Sequence, residues 1–235
     1  MDHIEELDHG MVVYTPQQSA GRGQHGRQWL SPAGVLTCSC VVEVQAAAAA
    51  PLSLIAGLAV ADTINDRAEA SGSAARCQLK WPNDVIIDEA KVAGILCEGR
   101  HWRPDLHRVV VGIGCNLRPD LAALPLEGSA MPASSLQAHA INGDDPLDFI
   151  ACVRDFLLQG VAMLNLGRWQ ALLTRIRGHD WLLGRHINIM DGPRAYQGYA
   201  AGIDDHGHLL LTQPDGGHIA VSGGRIQPSV VPQED

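Results

Sequence analysis

A loop rich in glycine and arginine is the first segment of the chain whose side chains could do chemistry. It covers residues 21–29 and has the sequence GRGQHGRQW. Glycines let backbone N–H groups approach an anion closely, and Arg22 and Arg27 add fixed positive charge with forked donors. Trp29 adds a flat apolar face on which a purine or another ring can pack. The loop therefore predicts a clamp for a nucleotide phosphate, with a merely solvated basic loop as the open alternative.

The same loop contains the letters of the GxGxxG motif, but its surroundings do not suit a dinucleotide site. That motif needs a strand directly before the first glycine and a helix that opens at the glycines. Here Pro16 and two glutamines precede the loop, and Ser31 and Pro32 follow where the helix would have to run. The chain also lacks the GxxxxGK[ST] sequence of a phosphate-binding loop. The sequence therefore argues against both of these nucleotide sites.

The only two lysines of the chain fall in two further short segments. Of the 17 basic residues, 15 are arginine, and the lysines are Lys80 in KWPND and Lys91 in KVAGIL. Lysine differs from arginine in pKa, shape and hydration, so these two are candidates for a charge that a ligand needs. A third segment, VVVGIGCNL at residues 109–117, has glycines inside a strand, which favours close approach of a ligand. Asn116 in this segment offers an amide that can bind an adenine-like edge.

The bulk composition limits the classes of partner. The chain has 235 residues, a net charge of −9 and 46% hydrophobic residues, which is typical of a globular protein and unsuited to tracking nucleic acid. It lacks an apolar run of the roughly 18–20 residues that a bilayer span needs, and its start lacks the layout of a signal peptide. We therefore expect a cytoplasmic protein that binds neither nucleic acid nor membranes. The six cysteines form no CxxC pair and are expected to be reduced, and we expect no protein-bound metal.

Alternating strands and helices must position these segments. Hydrophobic periodicity and turn residues predict strands over residues 11–15, 35–44, 77–80, 84–88, 92–98 and 108–117. Helices are predicted over residues 52–69, from Pro146 onwards behind an aspartate cap, and over about 168–177 up to Gly178. Residues 16–34 form a loop long enough to be functional, and residues 118–145 are predicted to be an irregular connection.

From Gly184 onwards the pattern changes to short strands separated by Asp/Gly turns. Strands are predicted over residues 185–190, 194–203, 208–212 and 218–221. This spacing is typical of a small β-barrel or sandwich. We place a domain boundary near residue 182, with the chemical segments in the domain of residues 1–182 and a small β domain over residues 183–235.

Taken together and in this order, the chemical segments resemble the signature of biotin protein ligases. The family pattern is Q-(T/S)-A-G-R-G with a tryptophan further on, then K-W-P-N-D, then K-(L/V)-A-G-I-L, then a glycine-rich strand that ends in asparagine. Here it is supplied by residues 18–29, 80–84, 91–96 and 112–116. The resemblance implies an α+β fold, with a mixed β-sheet and packed helices as in class II synthetases, followed by a small SH3-like barrel. Residues 1–182 would be the catalytic domain that binds biotin and ATP, and residues 183–235 the SH3-like β domain.

The resemblance implies that the chain is an enzyme, an ATP-dependent biotin–[biotin carboxyl carrier protein] ligase. Such an enzyme activates biotin as biotinyl-5'-AMP and then transfers the biotin to a lysine of a carrier protein. ATP and biotin are the implied small molecules, and Mg²⁺ would accompany the ATP. The implied partner is the biotin carboxyl carrier protein of acetyl-CoA carboxylase or of a related carboxylase. A lipoate or octanoyl ligase and a non-catalytic biotin- or nucleotide-binding relative are the open alternatives.

The resemblance also implies roles for individual residues. Lys80 and Arg22 would be the catalytic residues, because Lys80 would bind the oxygens on which charge builds in the first transition state. The biotin-binding residues would be Gln18, Gly21, Arg22, Lys80, Gly94 and Ile95. The residues that bind ATP and the adenylate would be Arg22, Gln24, Arg27, Trp29, Asn83, Lys91 and Asn116.

Two features depart from the family pattern. Where the family usually has basic residues after the second glycine of the loop, this chain has Gln24 and His25, which removes a fixed charge near the adenylate. No Ser-Thr-Asn segment precedes Met11. From this we expect a weaker biotin pocket, and association into a homodimer through the N-terminal edge of the sheet.

Overall fold

The computed structural model of the protein describes residues 6–46, 51–123, 131–213 and 216–227, so the first five residues of the expected association edge lie outside it. The strands are β1 (Val12–Thr15), β2 (Val35–Gln45), β3 (Gln78–Lys80), β4 (Asp84–Ile87), β5 (Ala90–Arg103), β6 (Leu106–Asn116), β7 (His186–Asp191), β8 (Arg194–Ile203), β9 (Leu209–Thr212), β10 (His218–Val221) and β11 (Arg225–Gln227). The α-helices are α1 (Leu52–Ala70), α2 (Pro146–Asn165) and α3 (Trp169–Gly178). Short 3-10 turns lie at Gln24–Gly26, Leu121–Ala123 and Gln137–His139.

The first six strands form one sheet in the order β1-β2-β6-β5-β4-β3. Each pairing between neighbouring strands is antiparallel. Among the described residues, parallel pairing is limited to isolated bridges, which join Leu79 to Asp180 and Lys91 to Ala133. The resemblance implies a sheet with both parallel and antiparallel pairing. In the described residues the parallel pairing occurs only at those isolated bridges. The β5–β6 hairpin is also longer than predicted, because it continues to Arg103 on one strand.

Helices cover one face of this sheet. Helix α1 is buried along most of its length, as its nearly continuous apolar sequence requires, and it packs on β3, β4 and β5 while α2 packs on β2. Helix α2 begins as predicted, with Pro146 at the first helical position and the Asp145 side chain accepting from the backbone N–H groups of Leu147 and Asp148. Among the described helices, none is long and apolar enough to cross a bilayer.

The other face of the sheet is not covered by these helices, and we call it the open face. Successive side chains of a strand point to opposite faces, so Gly94, Leu96 and Glu98 of β5 share one face. Gly114 of β6 pairs with Gly94, and Thr37 of β2 pairs with Gly114, so the same face continues across three strands. Short side chains therefore dominate the centre of the open face.

One extra residue in β5 changes which side chains reach the open face. Val85 of β4 pairs with Ala93, whereas the next residue, Ile86, pairs with Lys91, so Val92 has no partner of its own in β4. A bulge of one residue reverses the alternation of side chains on the two sides of it. Lys91 therefore lies on the open face, where an unbroken strand would have turned it towards the helices.

The remaining strands form a second sheet in the order β10-β9-β8-β7-β11. Strands β7 to β10 lie where the sequence predicts strands, whereas β11 has no predicted counterpart because three residues carry too little periodicity. In the described part of the chain no pairing joins β10 to β11, so this sheet is open, and the SH3-like barrel stays a prediction. Trp81 joins the two sheets, since its Nε1 donates to the carbonyl of Gly207 at 3.1 Å.

The crossing of α1 and α2 provides a test of this packing. A Cβ added at Gly160 would lie 2.6 Å from Cγ2 of Ile55, whose side chain is almost fully buried. Alanine favours a helix over glycine by about 1 kcal/mol, but overpacking a buried site costs roughly 1–3 kcal/mol. We expect Gly160→Ala to lower the free energy of unfolding by about 1 kcal/mol, measured by urea denaturation.

Gly178→Ala is the matched control. This glycine also lies in a helix, but an added Cβ there meets no atom within 4 Å. The control is expected to leave the free energy of unfolding unchanged or to raise it by up to about 1 kcal/mol. Equal changes in the two variants would contradict close packing at the helix crossing.

Candidate functional site

A cavity of about 540 Å³ lies on the open face of the first sheet. Gly94, Gly112 and Gly114 lie on its floor, and Thr37 and Ser39 extend the floor onto β2. Glycine inside a strand allows another group to lie directly against the backbone. The floor therefore suits a flat group that lies directly against the backbone.

The glycine- and arginine-rich loop folds over this face as a short hairpin. The N–H of Trp29 donates to the carbonyl of Gly21 at 3.0 Å, and an isolated bridge joins Arg22 to Gln28. The loop leads into strand β2 and not into a helix, which agrees with the argument against a dinucleotide motif. Arg22 and Arg27 line the cavity from this hairpin.

The indole of Trp29 packs directly on the glycine floor. A Cβ added at Gly114 would lie 2.3 Å from the indole ring, and one at Gly94 would lie 3.2 Å from it. Nζ of Lys91 lies 5.5 Å from the centroid of the same ring. Nε1 of Trp29 is buried and has no hydrogen-bond partner among the described residues. Because a buried donor without a partner is costly, this N–H is available to an acceptor on a ligand.

Asp84 lies between the two lysines of the chain. Its Oδ1 is 2.5 Å from Nζ of Lys91, and its Oδ2 is 3.2 Å from Nζ of Lys80. Burial by itself would raise the pKa of Asp84, but the ammonium groups of Lys91 and Lys80 outweigh burial and hold this pKa below its ordinary value. Asp84 is therefore ionised at neutral pH and balances one of the two positive charges.

Most of the predicted site residues line one cavity: Gln18, Arg22, Gln24, Arg27, Trp29, Asn83, Lys91, Gly94, Ile95 and Asn116. Lys80 and Gly21 are not among the lining residues. The ammonium of Lys80 pairs with Asp84, and Gly21 closes the loop hairpin through its carbonyl. Ile95 borders the cavity with its backbone, since its Cδ1 lies 3.8 Å from the Cβ position of Gly57 on α1.

Asn83 is fixed against β5 by two hydrogen bonds. Its side-chain Nδ2 donates to the carbonyl of Ile95 at 2.8 Å, and its own carbonyl accepts from the N–H of Ile95 at 2.9 Å. The side-chain NH₂ thus has a backbone acceptor. Asn83 therefore shapes the cavity wall while it anchors the turn after Lys80.

The irregular connection contributes more to the site than its sequence suggests. The N–H of Lys91 donates to the carbonyl of Pro132 at 2.8 Å, and the carbonyl of Lys91 accepts from the N–H of Ser134 at 2.9 Å. The carbonyl of Ser134 in turn accepts from Nδ2 of Asn116 at 2.9 Å. One segment therefore fixes both the backbone of Lys91 and the amide of Asn116 at the edge of the cavity.

Some lining residues carry no signal in the sequence motifs. Glu98 lies inside the predicted strand of residues 92–98 and could have been found by counting in twos from Gly94. Arg225 reaches the cavity from β11 of the second sheet, and only the contact between the two sheets reveals it. Met131 and Ala133 come from the irregular connection.

The lining suits a ligand that combines anionic groups with a ring. Its cationic side chains are Arg22, Arg27, Lys91 and Arg225. Trp29 offers an aromatic face and Asn116 an amide. Burial raises the pKa of Cys38 to about 12, so this thiol stays protonated and forms a small apolar part of the wall. Such a cavity can bind carboxylate and phosphate groups and stabilise negative charge that builds on their oxygens.

Two protein families match parts of the chain. Residues 1–116 match the biotin/lipoate A/B protein ligase family, and residues 182–227 match the biotin protein ligase C terminal domain. The chain is 39% identical over 221 residues to the biotin--[acetyl-CoA-carboxylase] ligase of Paracoccus denitrificans, a match that covers 88% of this chain and 86% of that protein. It is 32% identical over 238 residues to the bifunctional ligase/repressor BirA of Escherichia coli (strain K12), which covers 96% of this chain and 68% of that protein.

The fold is also similar to solved structures. The biotin protein ligase from Aquifex aeolicus in complex with biotin and ATP superposes with a TM-score of 0.77 at 24% sequence identity, covering 95% of this chain and 91% of that one. At this identity the likeness concerns the fold alone. It shows that the arrangement of the sheets and helices described above is that of this group of structures.

The ion triad around Asp84 generates a prediction about stability. Asp84→Asn would leave the ammonium groups of Lys80 and Lys91 close together without a counter-charge. Because the Asp84 side chain is only 13% exposed, we expect a loss of roughly 2–4 kcal/mol in the free energy of unfolding at pH 7. The pKa of Asp84 is depressed in the folded protein, so its contribution is present above about pH 4 and is lost as the pH falls further.

Urea denaturation of the wild type and the variant at pH 7 and at low pH measures this contribution. Asp144→Asn serves as the control, because the Asp144 side chain pairs with Arg118 but is 74% exposed, and such pairs contribute little. A loss in Asp84→Asn no larger than in Asp144→Asn would show that the triad does not stabilise the fold.

Proposed function

The chain belongs to the biotin protein ligase family, and we propose that it is an ATP-dependent biotin–[biotin carboxyl carrier protein] ligase. It activates biotin as biotinyl-5'-AMP and then transfers the biotin to a lysine of the carrier protein of acetyl-CoA carboxylase or of a related carboxylase. The observation that carries the proposal is the make-up of the cavity, in which cations and an aromatic ring gather over a floor of glycine backbone.

The two small molecules divide the cavity between them. The residues proposed to bind biotin are Gln18, Gly21, Arg22, Gly94 and Ile95, beside the Trp29 indole that covers the glycine floor. The nucleotide lies towards the tryptophan and the asparagine amide, and the residues proposed to bind ATP and the adenylate are Arg22, Gln24, Arg27, Trp29, Asn83, Lys91 and Asn116. The free Nε1 donor of Trp29 and the fixed amide of Asn116 support this second assignment.

The first reaction needs positive charge close to the reacting oxygens. A carboxylate oxygen of biotin attacks the α-phosphorus of ATP, the bond to the β-phosphate oxygen breaks, and pyrophosphate leaves. Arg22 and Arg27 bind phosphate oxygens with forked donors, and the covering loop keeps water from the mixed anhydride. Mg²⁺ would enter with ATP and would offset phosphate charge beside Arg22 and Arg27.

Lys91 is the better placed of the two lysines to bind the reacting oxygens. It lines the cavity, whereas Lys80 contacts Asp84 and lies outside the lining. Lys80, the catalytic lysine that the resemblance implies, then acts through Asp84, which it helps to keep ionised and in position. Lys91 in turn is held by Asp84 on one side and faces Trp29 on the other.

Further parts of the proposal concern organisation and surroundings. A boundary between residues 182 and 183 is supported by the second family match, which begins at residue 182, and the domain after it is proposed to be SH3-like. A net charge of −9 supports the absence of a nucleic-acid partner, and a cytoplasmic location remains part of the proposal. Homodimer formation through the edge strand β1 is supported by the exposed side chains of Met11 and Val13.

The proposed function predicts pyrophosphate release that requires both biotin and ATP. We expect this release to stop after about one turnover without a carrier protein and to continue when a biotin carboxyl carrier protein is added. Coupled phosphate detection and mass spectrometry of the carrier measure the two steps. Lipoate and octanoate in place of biotin test the alternative ligase activity. Turnover with lipoate but not with biotin, or no turnover with either, would falsify the proposal.

The two lysines are expected to differ when each is changed to alanine. Removal of one charge-stabilising donor typically costs about 10²–10³-fold in rate. We expect Lys91→Ala to lower the rate of biotinyl-AMP formation by about 10²-fold or more, with little change in the free energy of unfolding. Lys80→Ala is expected to slow the same step about 10-fold, because one ammonium still neutralises Asp84. Single-turnover measurement of biotinyl-AMP decides between them, and a larger loss in Lys80→Ala would restore Lys80 as the direct ligand.

A further inference from the structure

Glu98 is the one carboxylate among the described residues that line the cavity. It lies on β5 opposite Val110, and its side chain is 33% exposed. Both substrates of the first reaction bring negative charge into this cavity, and a carboxylate in the wall repels them. A carboxylate in that position can instead bind a cation that enters the cavity.

Glu98 also borders a second cavity, of about 570 Å³. This second cavity lies between the glycine- and arginine-rich loop and residues 222–224, which precede strand β11 of the second sheet. Arg22, Leu96 and Glu98 line both cavities. Glu98 therefore lies where the two cavities adjoin, within reach of a group that comes in through the second one.

We propose that Glu98 receives the ε-ammonium group of the carrier lysine and positions it for attack on the acyl carbonyl of biotinyl-AMP. This inference rests on the proposed function and names the residue that handles its second substrate. A lysine carries its charge at the end of a flexible four-carbon chain, so it can enter a narrow cavity from a protein surface. Its ammonium loses water on the way, and the carboxylate replaces that water as a hydrogen-bond acceptor.

The present partner of Glu98 does not prevent this role. Its Oε2 is 3.3 Å from NH2 of Arg22, and the Arg22 side chain is 67% exposed. Ion pairs this exposed contribute little free energy, so another anion exchanges with the carboxylate readily. The phosphate of the adenylate is such an anion, and it draws Arg22 towards the nucleotide. The carboxylate of Glu98 is thus released for the ammonium once the nucleotide phosphates bind Arg22.

The transfer step then follows from proton balance. The bound ammonium passes one proton to the Glu98 carboxylate, and the neutral amine nitrogen attacks the carbonyl carbon of biotinyl-AMP. The bond between that carbon and the phosphate oxygen breaks, and AMP leaves. The new amide nitrogen gives its second proton to water, and Glu98 returns its proton to solvent. Glu98 therefore contacts the second substrate and acts as its base.

Glu98→Gln tests this role because it removes the charge and keeps the shape. Wild type and variant are loaded with biotin and Mg-ATP, and the preformed biotinyl-AMP complex is mixed either with a biotin carboxyl carrier protein or with hydroxylamine. Hydroxylamine is mostly uncharged at neutral pH and needs no carboxylate to receive it. We expect transfer to the carrier to slow by about 10-fold or more, whereas the rate with hydroxylamine changes by less than about 2-fold.

The pH dependence adds a second readout. Without the carboxylate, only carrier lysine that is already neutral can react, and a lysine in water has a pKa of about 10.4. The deficit of Glu98→Gln in transfer is therefore expected to shrink as the pH rises from 7 to 9. Two results would overturn the proposal: equal slowing with the carrier and with hydroxylamine, or slower biotinyl-AMP formation with normal transfer. Either result would mean that Glu98 acts by holding Arg22 and the loop in place.

Glu43→Gln is the matched control. Glu43 is also a strand carboxylate of the same sheet and pairs with an arginine, Arg108, but it does not line the cavity. This control is expected to transfer biotin at the wild-type rate. If wild-type protein forms no biotinyl-AMP at all, the proposed function fails and this inference fails with it. If wild type forms and transfers normally and Glu98→Gln does the same, only the inference about Glu98 fails.

Discussion

Strand β5 has one more residue than strand β4 can pair with, and the extra residue is Val92. On the N-terminal side of this bulge the alternation of side chains is reversed, so Lys91 joins Gly94 and Leu96 on the open face of the sheet. The buried side chain of Val92 remains in the core under the helices. The same strand can therefore supply an apolar wall to the helices and a cation to the cavity. The cation is placed by backbone pairing and does not depend on a long flexible reach.

A lysine in that position needs a counter-charge that does not block it. Asp84 provides one from β4, and Lys80 on the neighbouring β3 strand shares its second oxygen. With two ammonium groups and one carboxylate, the triad keeps a net charge of about +1 at neutral pH, because the pKa of Asp84 is held below its ordinary value. A single lysine–aspartate pair would have been neutral and would attract an anion less strongly. This explains in physical terms why both lysines accompany the aspartate in this chain.

The strands, the helices and the site residues that belong to short motifs could be predicted from the sequence, because each depends on residues close together in the chain. Apolar periodicity places the strands and helices, and the cap by Asp145 before Pro146 fixes the start of α2. The position of Lys91 on the open face could not be predicted, because it depends on a bulge, and a bulge is set by pairing with another strand. Arg225 could not be predicted either, because its strand has only three residues and its place in the cavity requires the contact between the two sheets.

That contact makes the cavity depend on two sheets at once. Arg225 pairs with Met190 of β7 in the second sheet, and a slip of one residue in this register would turn its side chain to the opposite face. Trp81, the residue directly after Lys80, fixes the second sheet near the site, because its indole N–H donates to the carbonyl of Gly207. Charges farther than the screening length of about 8 Å from an anion are largely screened, so the overall charge of −9 has little effect inside the cavity. Inside the cavity the nearby cations therefore decide the sign of the potential, and one of them is present only while the second sheet stays docked.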